Sequence, residues 1–165
     1  MKILFLSRLF LPHVGGVELH IKNLILETKE KHQYVIITER HDNLLPEHEF
    51  TELAEIWRIP IKEGESRKIV IWKWLLGHIY LLLSAERIHI HDVFFWILPF
   101  RVILFWKKMT ITFHGYEGYV NPTVNQKLWH KCAALLTKGN ICIGGFHRKW
   151  YGIQPTKESF GAIND

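Results

Sequence analysis

The sequence predicts an α/β fold, a doubly wound parallel sheet with helices on both faces. Two observations carry this. Short apolar runs, several rich in β-branched residues, alternate with longer stretches whose apolar residues recur every three or four positions. Turns and polar loops, several with glycine, punctuate the alternation from one end of the chain to the other. About six or seven strands joined by right-handed crossovers are expected.

The elements follow in order. Lys2–Ser7 (KILFLS) reads as a buried strand, and Gly15-Gly16 lead into a helix whose inner stripe is Val17, Ile21, Leu24, Ile25 and Thr28. Tyr34–Thr38 (YVIIT) is the second strand. Asn43–Glu55 is acidic and poorly periodic, a loop or short helix. Ile56–Ile61 reads as a third strand stopped by Pro60, and Glu63–Arg67 as a turn. A helix over Ile69–Ser84 leads to a fourth strand, Arg87–His91. A helix over Phe95–Trp106, with Pro99 near its start, leads to a fifth, Met109–Phe113. Thr123–Leu136 is a helix on the period of Leu128, Cys132, Leu135 and Leu136. Asn140–Ile143 is the sixth strand, a short turn or helix runs to Trp150, and Ser159–Ile163 is a last short strand. With no repeat or internal linker, positions 1–165 read as a single Rossmann-like domain.

Composition narrows the class. Of 165 residues, 48% are hydrophobic and 22% charged, which suits a folded domain and excludes a disordered chain. The net charge of +5 suits an anionic ligand such as a nucleotide diphosphate, or an anionic membrane surface, and does not point to nucleic acid. Cys132 and Cys142 are too few for a disulfide framework or a zinc finger and fit a reducing cytosol. The apolar run at Ile3–Leu6 is too short for a signal peptide. Ile69–Leu83 and Val93–Trp106 are more apolar, but Lys73, Gly77 and His78 break the first and Pro99 and Arg101 the second. Neither reaches the roughly 18 uninterrupted apolar residues of a span. Both read as buried helices, the alternative being a helix lying in the membrane interface. The expected location is the cytoplasm, with contact to the cytoplasmic face of a membrane.

In such a sheet, ligands bind beyond the carboxyl ends of the strands. Three groups fall there. Gly15 and Gly16 stand between the first strand and first helix. They read either as a turn with φ > 0 or as a place where phosphate meets the helix N-terminus. The pair is not a G-x-G-x-x-G fingerprint, which weakens a nicotinamide reading, although Glu39 lies where a ribose-binding acid would. His89 and His91 share one strand face, with Asp92 after them; no further ligands at recognisable spacing support a metal, and Asp92 reads alternatively as a helix cap. His114-Gly115 end the fifth strand before a loop holding Tyr116, Glu117, Tyr119 and Asn121, groups suited to a sugar. His147-Arg148-Lys149 form a small basic patch, by default a solvated face.

Together these residues resemble the N-terminal domain of glycosyltransferase family 4, retaining sugar-nucleotide transferases of the two-domain GT-B architecture. KILFLSRLFLPHVGGVELHIKNL is similar to the family's opening, with its Pro-x-x-Gly-Gly-x-Glu turn. IHIHD at 88–92 and TFHG at 112–115 are similar to its fourth- and fifth-strand motifs, ICIGGFHRKWYG at 141–152 to the segment before the hinge, and GAIND at 161–165 to its linker. The resemblance implies an acceptor-side domain. Gly15 and Gly16 would touch the donor diphosphate. His91, Asp92, Gly115, Tyr116 and Glu117 would line the acceptor or sugar, and His114 would act in the reaction. The donor is a nucleotide-sugar and the acceptor a glycan or lipid-linked molecule, with no metal or other cofactor. The family's nucleotide-binding C-terminal domain, with its Glu-x7-Glu motif, is absent from this sequence, so the chain alone is expected to transfer little sugar. The bare inter-domain face then makes a homodimer an expectation. The alternative is a non-catalytic module that docks a separate catalytic subunit or an anionic membrane.

Overall fold

A computed structural model describes residues 1–115 and 121–159. The chain runs β1 (Lys2–Ser7), α1 (Gly16–Thr28), β2 (Gln33–Glu39), β3 (His48–Phe50), β4 (Glu55–Ile59), α2 (Arg67–Gly77), α3 (Ile79–Ser84), β5 (Arg87–His91), α4 (Phe94–Ile103), β6 (Lys108–Phe113), α5 (Val124–Leu136), β7 (Asn140–Ile143), a π-helical turn (His147–Tyr151) and β8 (Lys157–Ser159). One eight-stranded sheet has the order β3-β4-β2-β1-β5-β6-β7-β8, and every pairing is parallel except β3–β4.

The expected α/β fold with a parallel sheet is what forms. The chain leaves β1 toward β2 on one side and later returns to place β5 on the other. The carboxyl ends of β1 and β5 therefore flank the switch point at which open α/β sheets bind ligands. The two layers are unequal. The larger core buries Leu4, Val35, Ile90, Trp96 and Ile111 with residues of α2 to α5, whereas the smaller packs α1, through Ile21 and Ile25, on Phe5, Tyr34, Ile36 and Ile56.

Several departures from the sequence reading have physical causes. The segment read as a loop or short helix contributes β3, an antiparallel edge strand, in which His48 lies opposite Trp57 and stacks on it at 3.8 Å. The helix expected over Ile69–Ser84 is two helices: His78 leaves the helical region at φ −115°, ψ 29°, and stacks on Trp74 at 3.9 Å. Pro99 lies inside α4 and cannot donate to the Phe95 carbonyl four residues back. The Trp72 indole N–H donates to that carbonyl at 2.9 Å, which joins α2 to α4. α5 begins where expected, since Thr123 and Gln126 form a capping box. Of the strand expected at Ser159–Ile163, Ser159 belongs to β8 (Lys157–Ser159), and residues 160–165, including the rest of that strand and the GAIND motif, lie outside the described residues.

Candidate functional site

Gly15, Gly16, His91, Asp92, His114 and Gly115 all lie at the carboxyl end of the sheet, after the adjacent strands β1, β5 and β6. Tyr116, Glu117 and Tyr119 lie outside the described residues.

The centre is a group of imidazoles. His91 is buried, and its Nδ1 is 2.8 Å from Nε2 of His114. His20, one turn into α1, brings its ring 4.9 Å from that of His114 and 6.1 Å from that of His91. This contact ties the start of α1 to the ends of β5 and β6. His89 stands behind, with Nδ1 against Thr110 Oγ1 at 2.6 Å and Nε2 against Thr112 Oγ1 at 2.8 Å. Both of its nitrogens are spent on β6, so a neutral His89 keeps no lone pair for a ligand.

The hydrogen bond between His91 and His114 needs one N–H and one lone pair. His91 Nε2 is buried and has no partner among the described residues. A buried bare lone pair is better tolerated than an orphaned N–H. His91 therefore carries its proton on Nδ1 and donates to His114 Nε2, which places the His114 proton on Nδ1. A neutral His114 then offers the site a donor. His91, buried in this arrangement, reaches a ligand only through His114.

All four rings are held neutral. Burial pushes His89 down to about 4, aided by His20. Burial, then His20 and His89, pushes His114 down to about 3. His91, fully enclosed and beside His89 and His114, lies well below the ordinary value, and burial lowers His20 too.

Asp92 adopts φ +60°, a left-handed conformation that Asp tolerates better than most residues. Its carboxylate accepts from the backbone N–H of His114 at 3.1 Å. This differs from the helix-cap reading: the N-cap of α4 is Val93, without a side-chain cap. Asp92 thus fixes the backbone of the residue whose side chain His91 fixes. Gly115 has φ +150°, a conformation that favours glycine, and among the described residues a Cβ there would meet nothing within 4 Å.

At α1 the structure corrects the turn reading. Gly15 is extended at φ −151°, ψ −179°, and Gly16 opens the helix; neither is left-handed. A Cβ on Gly15 would stand 2.6 Å from Glu18 Oε2, so the Glu18 carboxylate would have to shift, whereas among the described residues nothing lies within 4 Å of a Cβ on Gly16. The buried Glu18 carboxylate folds back toward the helix end and faces His13 Nδ1 at 3.5 Å. A negative group there is favoured by the helix dipole. Glu39, read as a ribose-binding candidate, is instead paired with Arg67 at the start of α2.

Two residues escaped the sequence reading. His20 falls three residues after Val17 and four before Leu24, on the stripe read only for its apolar members. His147, in the stretch His147-Arg148-Lys149 whose charge suggests a solvated patch, is fully buried, in ring contact with Phe113 and Tyr151, each at 5.2 Å, while Arg148 and Lys149 are exposed.

No protein-family model matches the sequence, and no curated protein matches it significantly. Solved structures do match in fold. Sucrose-phosphate synthase from Thermosynechococcus elongatus aligns at TM-score 0.73 and 12% identity, over 99% of this chain and 48% of its own. UDP-N-acetylglucosamine 2-epimerase from Rickettsia bellii aligns at 0.62 and 6%, over 98% and 44%. A UGT transferase from Siraitia grosvenorii, in complex with UDP, aligns at 0.55 and 13%, over 99% and 51%. The chain has the fold of a Rossmann-like domain of the GT-B architecture. It spans about half the length of these chains.

Proposed function

We propose that this chain is the acceptor-side half of a retaining, nucleotide-sugar-dependent glycosyltransferase of the family-4 type. A second, nucleotide-binding domain completes its cleft. The observation that carries this reading is the convergence, at the switch point between β1 and β5, of the α1 N-terminus with the hydrogen-bonded pair His91–His114. The fold match to sucrose-phosphate synthase and to the UDP-bound UGT transferase supports it.

Sugar transfer needs a stabilised leaving diphosphate, an oriented sugar and little water. In this reading the His114 Nδ1–H donates to a sugar hydroxyl or to a diphosphate oxygen, with His91 and Asp92 holding it in place. The α1 N-terminus faces the diphosphate across the open space at Gly16. Glu18 shares that helix end, and its charge opposes a second anion. The phosphate site is therefore weak alone and depends on cations from the other half. A glycan or lipid-linked acceptor occupies the space beside Gly115.

Calorimetric titration of the chain with a UDP-sugar tests this. Weak binding is expected. Gly16→Val should weaken it about tenfold or more, because a β-branched side chain fills the space above the backbone. The melting temperature should hold, since no atom of the described residues lies within 4 Å of that side chain's root. Glu18→Gln should tighten binding by removing the opposing charge. Unchanged binding in Gly16→Val would leave Gly15-Gly16 as a turn and no more.

A further inference from the structure

We propose that the chain docks on an anionic lipid bilayer through the edge of the sheet opposite the candidate site. α3, α4 and α5 run back from the carboxyl ends of the strands, so all three finish at the amino end of the sheet. Two cations tie these helix ends together. Arg101 donates to the carbonyls of Leu136, Leu104 and Phe105, at 2.7, 2.9 and 3.0 Å. Lys107 Nζ donates to those of Leu83 and Ala85. These bonds satisfy the carbonyls, and apolar side chains of the last turn of α4 and of the turn after it face solvent. Val102 is 80% exposed, Ile103 62%, Phe105 70% and Trp106 54%; at the end of α5, Leu135 is 83% exposed and Leu136 40%. A cluster of this size on one edge is unusual for a surface that meets only water.

The charges beside it select the partner. Arg87, Lys108 and Lys138 are exposed at the same edge, and none of them forms an ion pair among the described residues. A cavity of about 290 Å³ opens there, lined by Met1, Glu86, Arg87, Trp106, Lys107 and Lys108. Glu86 is the one acid of that lining, and its carboxylate accepts from the backbone N–H of Lys2. A two-fold contact with a second copy would bring the same cations face to face. A bilayer with anionic headgroups complements both parts, since Trp and Phe enter the interface and the cations meet phosphate. No helix among the described residues is long and apolar enough to cross a membrane, so the contact is peripheral.

The test is co-sedimentation of the chain with vesicles of phosphatidylcholine alone or mixed with phosphatidylglycerol, with sedimentation velocity run beside it. Binding to the anionic vesicles is expected to exceed binding to the neutral ones by about tenfold and to weaken with salt. Phe105→Ser/Trp106→Ser should lower it about tenfold, and Arg87→Glu/Lys108→Glu should abolish the preference for anionic lipid. Val102→Ser/Leu135→Ser, at two strongly exposed positions, keeps the test valid if the first pair melts without cooperativity; it should also weaken binding severalfold. Failure of the wild-type chain to bind, or binding indifferent to all three double variants, would overturn the proposal. So would a dimer that Phe105→Ser/Trp106→Ser dissociates while no vesicle is bound, which would give this edge to a second copy.

Discussion

Acidification from pH 7 to about pH 4.5 is expected to remove most of the folding free energy of this chain. Burial holds His89 and His147 down to about 4 and His114 to about 3, with neighbouring histidines adding to the shift. In the unfolded chain each returns to about 6.5. Between these values the unfolded chain binds protons that the folded chain refuses. Stability is therefore complete above about pH 6.5 and falls as the pH drops toward the folded values. Each such residue removes about 1.4 kcal/mol per pH unit, and three of them remove roughly 5–8 kcal/mol by pH 4.5, against a usual total of about 5–15 kcal/mol. Denaturant unfolding followed by circular dichroism across this range checks it. Stability unchanged from pH 7 to 4.5 would contradict the neutral histidine cluster. His147→Phe isolates one member. Both ring nitrogens of His147 are buried without partners among the described residues, so a phenyl ring should raise stability and flatten the pH dependence by about one proton.

Loss of His114 is expected to have the largest effect on catalysis. In a two-domain enzyme built on this chain, removing the Nδ1–H that orients the sugar or the diphosphate should cost about 2–4 kcal/mol, roughly 30- to 1,000-fold in rate. His114→Ala alone is ambiguous, because it also strips His91 of its buried partner, at about 1–3 kcal/mol of stability. His114→Gln separates the two effects. Its amide oxygen can accept from His91 Nδ1 in place of the imidazole Nε2, while the donor at the Nδ1 position is lost. A normal melting temperature with a large loss of rate is the expected outcome. His114 titrates near 3, so above about pH 5.5 it should leave no inflection in the rate profile. A His114→Gln enzyme of normal rate would make His114 a structural residue.

The parallel sheet was legible because runs such as KILFLS and YVIIT are buried on both faces and read as strands without tertiary information. The candidate site was legible as far as topology reaches. Once strands are in place, whatever follows β1, β5 and β6 must gather at one end, and Gly15, His91 and His114 do. What the spacing could not show is which polar groups pair. His91 and His114 meet across two strands, His20 joins them from a helix distant in sequence, and His89 is consumed by two threonines. Those contacts depend on register and crossover, which no local pattern encodes. His147 misled for a related reason: its neighbours Arg148 and Lys149 suggest a solvated patch, but the π-helical turn points the imidazole into the interior. Edge strand β3 was hidden because His48–Phe50 is short and half-polar, and its pairing partner β4, against which His48 stacks on Trp57, is fixed only by the folded register.

In the proposed enzyme the carboxyl ends of β1, β5 and β6 form one wall of a sugar-transfer cleft. Amide and imidazole NMR of the ¹⁵N-labelled chain, titrated with a nucleotide-sugar, tests it most directly. Shifts are expected at Gly16, Val17, Asp92, His114 and Gly115, with the His114 Nδ1 proton slowed in exchange. Shifts confined to the opposite edge around Trp106 and Lys108, or none at saturating ligand, would contradict it.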